Sequence, residues 1–377
     1  MKEIVYVGFY DISTSKKKRN ISLAGANKMT YIISVLGGFA KKVRVLSASQ
    51  VLDSKISSRE KIRLSENSVL ILPFCFGKGR TVKRALNRLI IQFQVLYNLI
   101  FKTNKYTSVI VYHSLYYMSI VKLAKRIKNF DLILEIEEIY GDVLQNSKVV
   151  KKELSYFKIA DKYIFPTKLL NDKINIDNKP CVLVHGTYQV EKNRGVRFDD
   201  DKIHVVYAGT FDARKGGAVA AVASAQWLPS NYHLHIIGFG SDDDTKTIKN
   251  LIEQTNKNSK ATVTYDGKLV GEEYILFLQK CHIGLSTQNP DADFNATSFP
   301  SKILSYMANG LRVVSIKIPA VETSDISESI YYYNEQTSQE IAENIMRIDL
   351  DDKYDSRDKI LRLHSEFLCK IKDLLNF

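Results

Sequence analysis

Carboxylates are missing over a long stretch of this 377-residue chain. None occurs from Asn67 to Phe130, where 11 Lys and Arg residues fall. Residues 1–130 hold 24 basic and 5 acidic side chains, although the whole chain has 54 against 41 and a formal charge of +13. A half so one-sided points to an anionic partner. Cysteine is scarce too: Cys75, Cys181, Cys281 and Cys369 lie far apart and form no Cys-x-x-Cys pair. That excludes a disulfide scaffold, a zinc ribbon and a thioredoxin-type site, and it fits a reducing compartment. The longest apolar stretch, Leu89–Phe101, is interrupted by Gln92, Gln94 and Asn98, whereas spanning a bilayer takes about 20 apolar residues. Lys2 and Glu3 lead into an apolar run, Ile4 to Phe9, too short for a secretory leader. There is no internal repeat and no low-complexity segment. A cytoplasmic location is the expectation.

What is present reads as globular. Hydrophobic residues make up 45% and charged residues 25%, and at roughly 150 residues per domain the length suggests about two domains. Short apolar runs alternate with longer helical patterns. In the first half they are Ile4–Gly8, Val43–Ser47, Ser68–Pro73, Ser108–Tyr112, Leu132–Ile136, Lys162–Phe165 and Cys181–His185. In the second they are Ile203–Ala208, His233–Ile237, Thr262–Tyr265, Ile283–Ser286, Arg312–Ile316 and Ile330–Tyr333. Continuous apolar strands of this kind belong to parallel sheets covered on both faces, so the fold class is α/β, built of βαβ units. The polar, aperiodic stretch Gly186–Lys202 reads as a linker. The expected division is a Rossmann-like domain over 1–186, a linker at 187–202, a second such domain over 203–355, and a C-terminal helix over 356–377 that could return to the N-terminal domain. Parallel sheets bind ligands at the carboxyl ends of their strands, so a shared ligand would lie in a cleft between the two.

Two segments carry chemistry. Thr297-Ser298-Phe299-Pro300-Ser301-Lys302 precedes the apolar stripe Ile303, Leu304 and Met307, with Gly310 after it. Pro300 suits the first helical position, Thr297 and Ser298 suit hydroxyl caps, and Gly310 suits the position just past the helix. Free amides at such a start favour an anion such as phosphate. The same spacing is equally served by one more βα unit with no ligand. The second segment runs from Val205 through Gly209 to Arg214, Lys215, Gly216 and Gly217. A buried strand ends at Gly209, and two cations follow. They could neutralise a diphosphate or form a solvated basic turn.

In this order, Tyr207-Ala208-Gly209-Thr210-Phe211 with Lys215, then Ile237-Gly238-Phe239-Gly240, Tyr265-Asp266-Gly267 and Phe299-Pro300-Ser301-Lys302, the chain resembles the C-terminal domain of retaining glycosyltransferases of family 4, which have the GT-B fold. The likeness covers about residues 200–335 and extends weakly into the N-terminal half. It implies a nucleotide-sugar donor, bound as substrate rather than cofactor, on Gly209, Arg214, Lys215, Gly238, Thr297, Ser298, Phe299, Ser301, Lys302 and Ser305. Lys215 matches the family's phosphate-binding lysine, and the amides near Ser298–Ser301 match its pyrophosphate site. His113, at the end of a strand, matches the active-site histidine. Glu137 and Glu138 after the next strand, and Gly25 before a helix, fall on the acceptor side. The family's two glutamates, separated by seven residues, are Thr297 and Ser305 here, and its arginine after the first glycine is Thr210. Charged acceptors form stronger hydrogen bonds than hydroxyls do, so these departures bear on the donor chemistry.

The reading is a retaining GT-B glycosyltransferase that passes a sugar to a saccharide or lipid-linked acceptor in surface polysaccharide synthesis. No metal is expected: there is no Asp-x-Asp triplet in a suitable loop, and Asp242-Asp243-Asp244 fits a helix start. A degenerate GT-B subunit that binds a partner protein and transfers nothing is the alternative. Nucleic acid is not an expected partner. The apolar positions Val82, Ala85, Leu86, Leu89, Ile90, Phe93, Leu96, Tyr97 and Ile100 form a helical stripe beside Lys83, Arg84 and Arg88. It reads either as a core helix with a solvated basic face or as a helix lying on anionic lipid, which would make the protein peripheral at the inner face of a membrane.

Overall fold

In the chain's computed structural model, which describes residues 3–12, 15–212, 216–290 and 297–377, internal contacts separate two units. One comprises Met1–Pro166, Leu170–Val184 and Phe367–Phe377, the other Thr167–Leu169 and His185–Glu366.

The first unit contains, in chain order, β1 (Glu3–Gly8), α1 (Leu23–Gly37), β2 (Lys42–Ser47), β3 (Glu60–Arg63), β4 (Ser68–Leu72), α2 (Thr81–Phe101), β5 (Ser108–Tyr112), α3 (Met118–Lys128), β6 (Asp131–Glu135), α4 (Tyr140–Val143), α5 (Ser147–Phe157), β7 (Lys162–Phe165), α6 (Lys168–Ile174) and β8 (Cys181–Leu183). Its sheet order among the described residues is β3-β4-β2-β1-β5-β6-β7-β8, parallel except for β3. The chain starts at the centre, builds outward through β2 and β4, and returns by α2 to lay β5 beside β1. The β1–β5 junction is therefore the topological switch point, where such sheets bind ligands. One face packs Val5, Val7, Val109, Val111, Leu132 and Leu134 against Ile91, Val95 and Leu99 of α2. The β-branched residues of these strands suit a pleated surface buried on both sides.

The second unit contains β9 (Ile203–Thr210), α7 (Gly217–Ser224), β10 (Tyr232–Phe239), α8 (Asp242–Asn258), β11 (Thr262–Gly267), α9 (Gly271–Lys280), β12 (Ile283–Ser286), α10 (Lys302–Ala308), β13 (Arg312–Ile316), α11 (Pro319–Glu322), β14 (Ile330–Tyr333), α12 (Ser338–Met346) and α13 (Ser356–Leu374), whose last turns count with the first unit. Its sheet order, β11-β10-β9-β12-β13-β14, is parallel throughout and switches direction between β9 and β12. Two doubly wound parallel sheets are the fold expected from the sequence.

Each apolar run predicted as a strand is one. The fourteenth strand, β3, was not expected. Glu60-Lys61-Ile62-Arg63 has one apolar side chain and is placed by antiparallel pairing with β4 at the sheet edge, where charge guards against further pairing. Asp242–Asp244 do open a helix: Ser241 caps α8 and Asp244 completes a capping box. The start of α10 differs from expectation. The helix begins at Lys302, with Ser301 at its N-cap and no side-chain cap, so Pro300 is not its first residue and neither Thr297 nor Ser298 caps it. The Thr297 carbonyl is instead held by the Thr167 hydroxyl at 2.8 Å, and the Pro300 carbonyl accepts from the Ile303 amide at 3.0 Å in a tight turn before the helix. Gly310 does follow the helix end, with φ of +88°, a conformation glycine adopts without steric penalty.

The backbones approach closely at the carboxyl ends of β9 and β10. Gly238 pairs with Gly209 at φ of +146°, and a Cβ there would fall 1.8 Å from the Gly209 carbonyl oxygen. Gly238→Ala must push these strand ends apart, and is expected to cost about 1–3 kcal/mol or more. Denaturant unfolding checks it; a wild-type midpoint would mean that the two strand ends separate freely.

Candidate functional site

In the second unit the candidate site gathers at the switch point. β9 delivers Tyr207, Ala208 and Gly209, and α10 brings Lys302 over them. The Lys302 ammonium lies 3.9 Å from the centroid of the Tyr207 ring and 3.1 Å from where a Cβ on Gly209 would be. A side chain at 209 would crowd it, which gives that glycine a steric reason. Lys302 is half-buried and has no carboxylate partner among the described residues. Burial alone draws its ammonium down to about 7, because a cation taken from water without a counter-ion favours its neutral form. One turn on, the buried Tyr306 hydroxyl accepts from the Ala208 amide at 2.7 Å and donates to the Leu285 carbonyl at 3.3 Å. It thereby ties α10 to both strands of the switch point and fixes the Lys302 backbone. Ahead of the helix, Phe299 stacks on His185 with centroids 4.9 Å apart. Ser305 pairs with the Tyr274 hydroxyl at 3.1 Å.

The first unit builds a second cluster at the carboxyl ends of β1, β5 and β6. Glu135 ends β6, is fully buried, and accepts a short hydrogen bond from the Tyr6 hydroxyl. Burial, then the nearby Glu137 charge, pushes the Glu135 carboxyl up to about 8, against the pull of Lys28. Lys28, on α1 and buried, donates to Glu137 at 2.5 Å and to the Val184 carbonyl at 2.9 Å. Gly25 lies one turn before it, where a Cβ would meet the Tyr112 hydroxyl at 3.1 Å. Burial raises the Tyr112 hydroxyl, and Glu137 and Glu135 add to the shift.

His113 follows β5 directly and is 2% exposed. Its Nε2 is 2.6 Å from Glu153 of α5, whose carboxylate also accepts from the Tyr140 and Gly141 amides at 3.1 and 2.6 Å. Phe157 meets the ring edge-on at 4.7 Å. The remaining nitrogen, Nδ1, is buried and has no partner among the described residues.

Residues 202–351 match the family described as Glycosyl transferases group 1. The second unit carries a glycosyltransferase domain. No curated protein sequence matches the chain. Solved structures do match, at identities that speak to the fold alone. A sucrose-phosphate synthase from Thermosynechococcus elongatus aligns with a TM-score of 0.71 at 14% identity, covering 100% of this chain and 98% of its own. An α,α-trehalose-phosphate synthase (UDP-forming) from Burkholderia xenovorans, in complex with glucose-6-phosphate, gives 0.68 at 9%, covering 100% of each chain. A structure from E. coli described as trehalose-6-phosphate bound with UDP-2-fluoro glucose gives 0.69 at 11%, covering 100% and 99%. The fold is GT-B.

Within this glycosyltransferase domain, Gly209, Gly238, Thr297, Ser298, Phe299, Ser301, Lys302 and Ser305 all lie on the strand ends of β9 and β10 or in the α10 segment. Arg214 and Lys215 lie outside the described residues. In the first unit, Gly25 and Glu137 come together through Tyr112 and Lys28, and Glu138 follows Glu137 on the same loop. Sequence reasoning missed Lys28 and Glu153. The one charged residue in α1, one turn after Gly25, was a usable signal for the first. Glu153 sits 40 residues from His113 and left no local sign.

The second unit also holds His204, His233 and His235, whose ring nitrogens lie within 4.8 Å of one another and could hold a metal ion. They sit toward the amino ends of β9 and β10, away from Gly209 and Gly238. His204 links to Asp200 at 2.6 Å and to His235 at 2.9 Å, and His235 links to Asp266 at 3.1 Å. His204 and His235 therefore form a hydrogen-bonded chain between two carboxylates, and His233 pairs beside it with the Thr264 hydroxyl at 3.1 Å. Burial lowers the His204 imidazole, and it draws His233 down to about 4.

Glu135 gives a pH test. It keeps its proton to about pH 8 in the fold but loses it near 4.3 when unfolded. Between those values the native state binds the extra proton, so stability falls as pH rises, by up to about 1.4 kcal/mol per unit. Unfolding midpoints should therefore be higher at pH 5 than at pH 8, and Glu135→Gln should flatten the slope. Parallel profiles for the two proteins would mean an ionised Glu135.

Proposed function

We propose that this chain moves a sugar from a nucleotide-sugar donor to a saccharide or lipid-linked saccharide acceptor, with retention of configuration and without a metal, in surface polysaccharide synthesis at an anionic membrane. The observation that carries the reading is Lys302: an ammonium with no carboxylate partner among the described residues, held over a glycine strand end in a domain that matches glycosyltransferases group 1. An unpaired, partly desolvated cation is stabilised by an anion far more than a solvated one is, and a diphosphate supplies the charge. Arg214 and Lys215 are assigned to the same diphosphate. Ser298, Ser301 and Thr297 would hydrogen-bond donor oxygens, and Glu137 and Glu138 the acceptor. Metal independence rests on these cations doing the work a divalent ion does in other transferases.

Titration of nucleoside diphosphates by calorimetry tests the donor site. Lys302→Met should weaken binding about tenfold or more, the scale of a charged hydrogen bond. Binding an anion raises the Lys302 pKa from about 7, so complex formation takes up a proton above that pH. Affinity should be flat below pH 7 and fall, by up to about tenfold per unit, above it. Unchanged affinity and pH profile in the variant would remove Lys302 from the site.

His113 is assigned as the catalytic group, acting through Nδ1, the nitrogen that Glu153 leaves free. Glu153 would hold the ring and support its positive form as charge develops during transfer. His113→Ala should cut turnover by roughly 10²-fold or more with donor affinity nearly unchanged. Wild-type turnover in a folded variant would give His113 a packing role only. No turnover by the wild type with any donor and acceptor pair would favour the non-catalytic subunit.

A further inference from the structure

The helix that returns the chain to the centre of the first sheet is apolar on two opposite sides. The inner side of α2 presents Asn87, Ile91, Val95, Asn98 and Leu99, all buried. The outer side presents Val82, Leu86, Leu89, Phe93, Tyr97 and Phe101, all exposed; Leu89, Phe93 and Phe101 are 63%, 67% and 67% accessible. Their spacings of 4, 3, 4, 4 and 4 residues keep them on one face of a helix with 3.6 residues per turn. The predicted stripe thus divides: Leu96 and Ile100 pack against the core, while Val82, Leu86, Leu89, Phe93 and Tyr97 are exposed. At about 1.5 Å per residue the row runs for roughly 30 Å. Neighbouring α3 adds exposed Leu123 and Ile127, one turn apart, and packs against α2 through Gln92, which donates to the Tyr116 carbonyl just ahead of α3.

Charge selects the occupant. Arg80, Arg84, Arg88, Lys102 and Lys105 on and beside α2, with Lys122 and Arg126 on α3, are exposed or half-exposed, and no carboxylate falls among them from Asn67 to Phe130. A second copy would bring the same cations against themselves in a two-fold interface, which repels. A nucleic-acid backbone would meet the cations but leave the Leu and Val row facing water. A surface that is anionic outside and apolar beneath satisfies both: the row enters the acyl boundary while the long basic side chains reach the headgroups. Tyr97 and Phe101, with rings 5.0 Å apart, and exposed Tyr106 with Lys105 over its ring at 5.1 Å put aromatic and basic groups together at one end. That is the composition of a bilayer interface.

We propose that the outer face of α2, flanked by α3, is a lipid-docking surface that seats the first unit on an anionic bilayer leaflet. It deepens the membrane part of the function proposed above and rests on that reading only for the acceptor. The assay needs no sugar donor, so its outcome is independent of transfer activity. Full-length protein is co-sedimented with vesicles of phosphatidylcholine alone or with phosphatidylglycerol added. Partitioning should rise at least about tenfold with the anionic lipid and fall with salt, since each surface cation contributes measurably near such a bilayer. Arg84→Glu/Lys102→Glu/Lys105→Glu should abolish that rise. Leu89→Ser/Phe93→Ser should lose binding while keeping the salt response of what remains. Phe93→Trp reports insertion: its emission should shift to the blue on anionic vesicles and be quenched by brominated acyl chains. All these positions are exposed, and wild-type circular dichroism and unfolding midpoints would confirm that the variants fold. Equal binding to neutral and anionic vesicles overturns the proposal. So does an unshifted Phe93→Trp emission, or a solution dimer that Leu89→Ser/Phe93→Ser dissociates.

Discussion

An ammonium held over the end of a buried strand, with no carboxylate partner among the described residues, organises the second unit's candidate site. Lys302 can be there only because Gly209 leaves the space below it and Tyr306 fixes the helix on which it rides. The Tyr207 ring face offers partial stabilisation at 3.9 Å, the scale of a cation–π contact rather than of a salt bridge. The fold thus keeps a cation in a desolvated place. Folding alone does not favour such an arrangement, whereas the anionic donor proposed above would.

The first unit solves the opposite problem with opposite charge. Glu135 ends one strand with Glu137 two residues on, and burial, with the repulsion from Glu137 added, keeps Glu135 protonated near neutrality. Lys28 balances Glu137. Its second bond, to the Val184 carbonyl, ties that balance to the last turn of chain before the other unit begins. His113 is held in a related way: Glu153, itself fixed by two backbone amides, sets its ring position, and Nδ1 is buried with no partner among the described residues. Buried polar atoms without partners are rare in folded proteins, so a leftover at the carboxyl edge of β5 is more informative than a paired histidine would be.

Much of the fold was legible because parallel strands covered on both faces are written as short continuous apolar runs. Each predicted strand is present, with ends shifted by at most a few residues. β3 escaped because an edge strand owes its existence to its neighbour rather than to its own pattern. The start of α10 was misread for a related reason. Pro300 with two hydroxyls ahead of it is a proper helix opening in isolation, but the bond from Thr167, 130 residues away, holds the Thr297 carbonyl and the helix waits until Lys302. The glycines and Lys302 were visible as a motif, whereas Glu153 and Lys28 became visible only when long-range pairing set them beside His113 and Glu137.

The case of α2 shows where periodicity stops. Its stripe was found correctly as a helical repeat, yet a repeat does not say which side the sheet will take. Two apolar rows are available on this helix, and the narrower one, Ile91, Val95 and Leu99, faces the core together with two asparagines. Those asparagines explain the choice. Asn87 accepts from the Phe76 amide and donates to the Gly77 carbonyl at 2.7 and 2.8 Å, and Asn98 donates to the Gln94 carbonyl at 2.7 Å. The Asn87 bonds fix the loop before the helix, which a row of Leu and Phe could not do. The larger, more apolar row is then left outside, in the longest carboxylate-free stretch of the chain, Asn67 to Phe130. Satisfying backbone polar groups in the core decided the orientation, and the exposed hydrophobic face is its consequence.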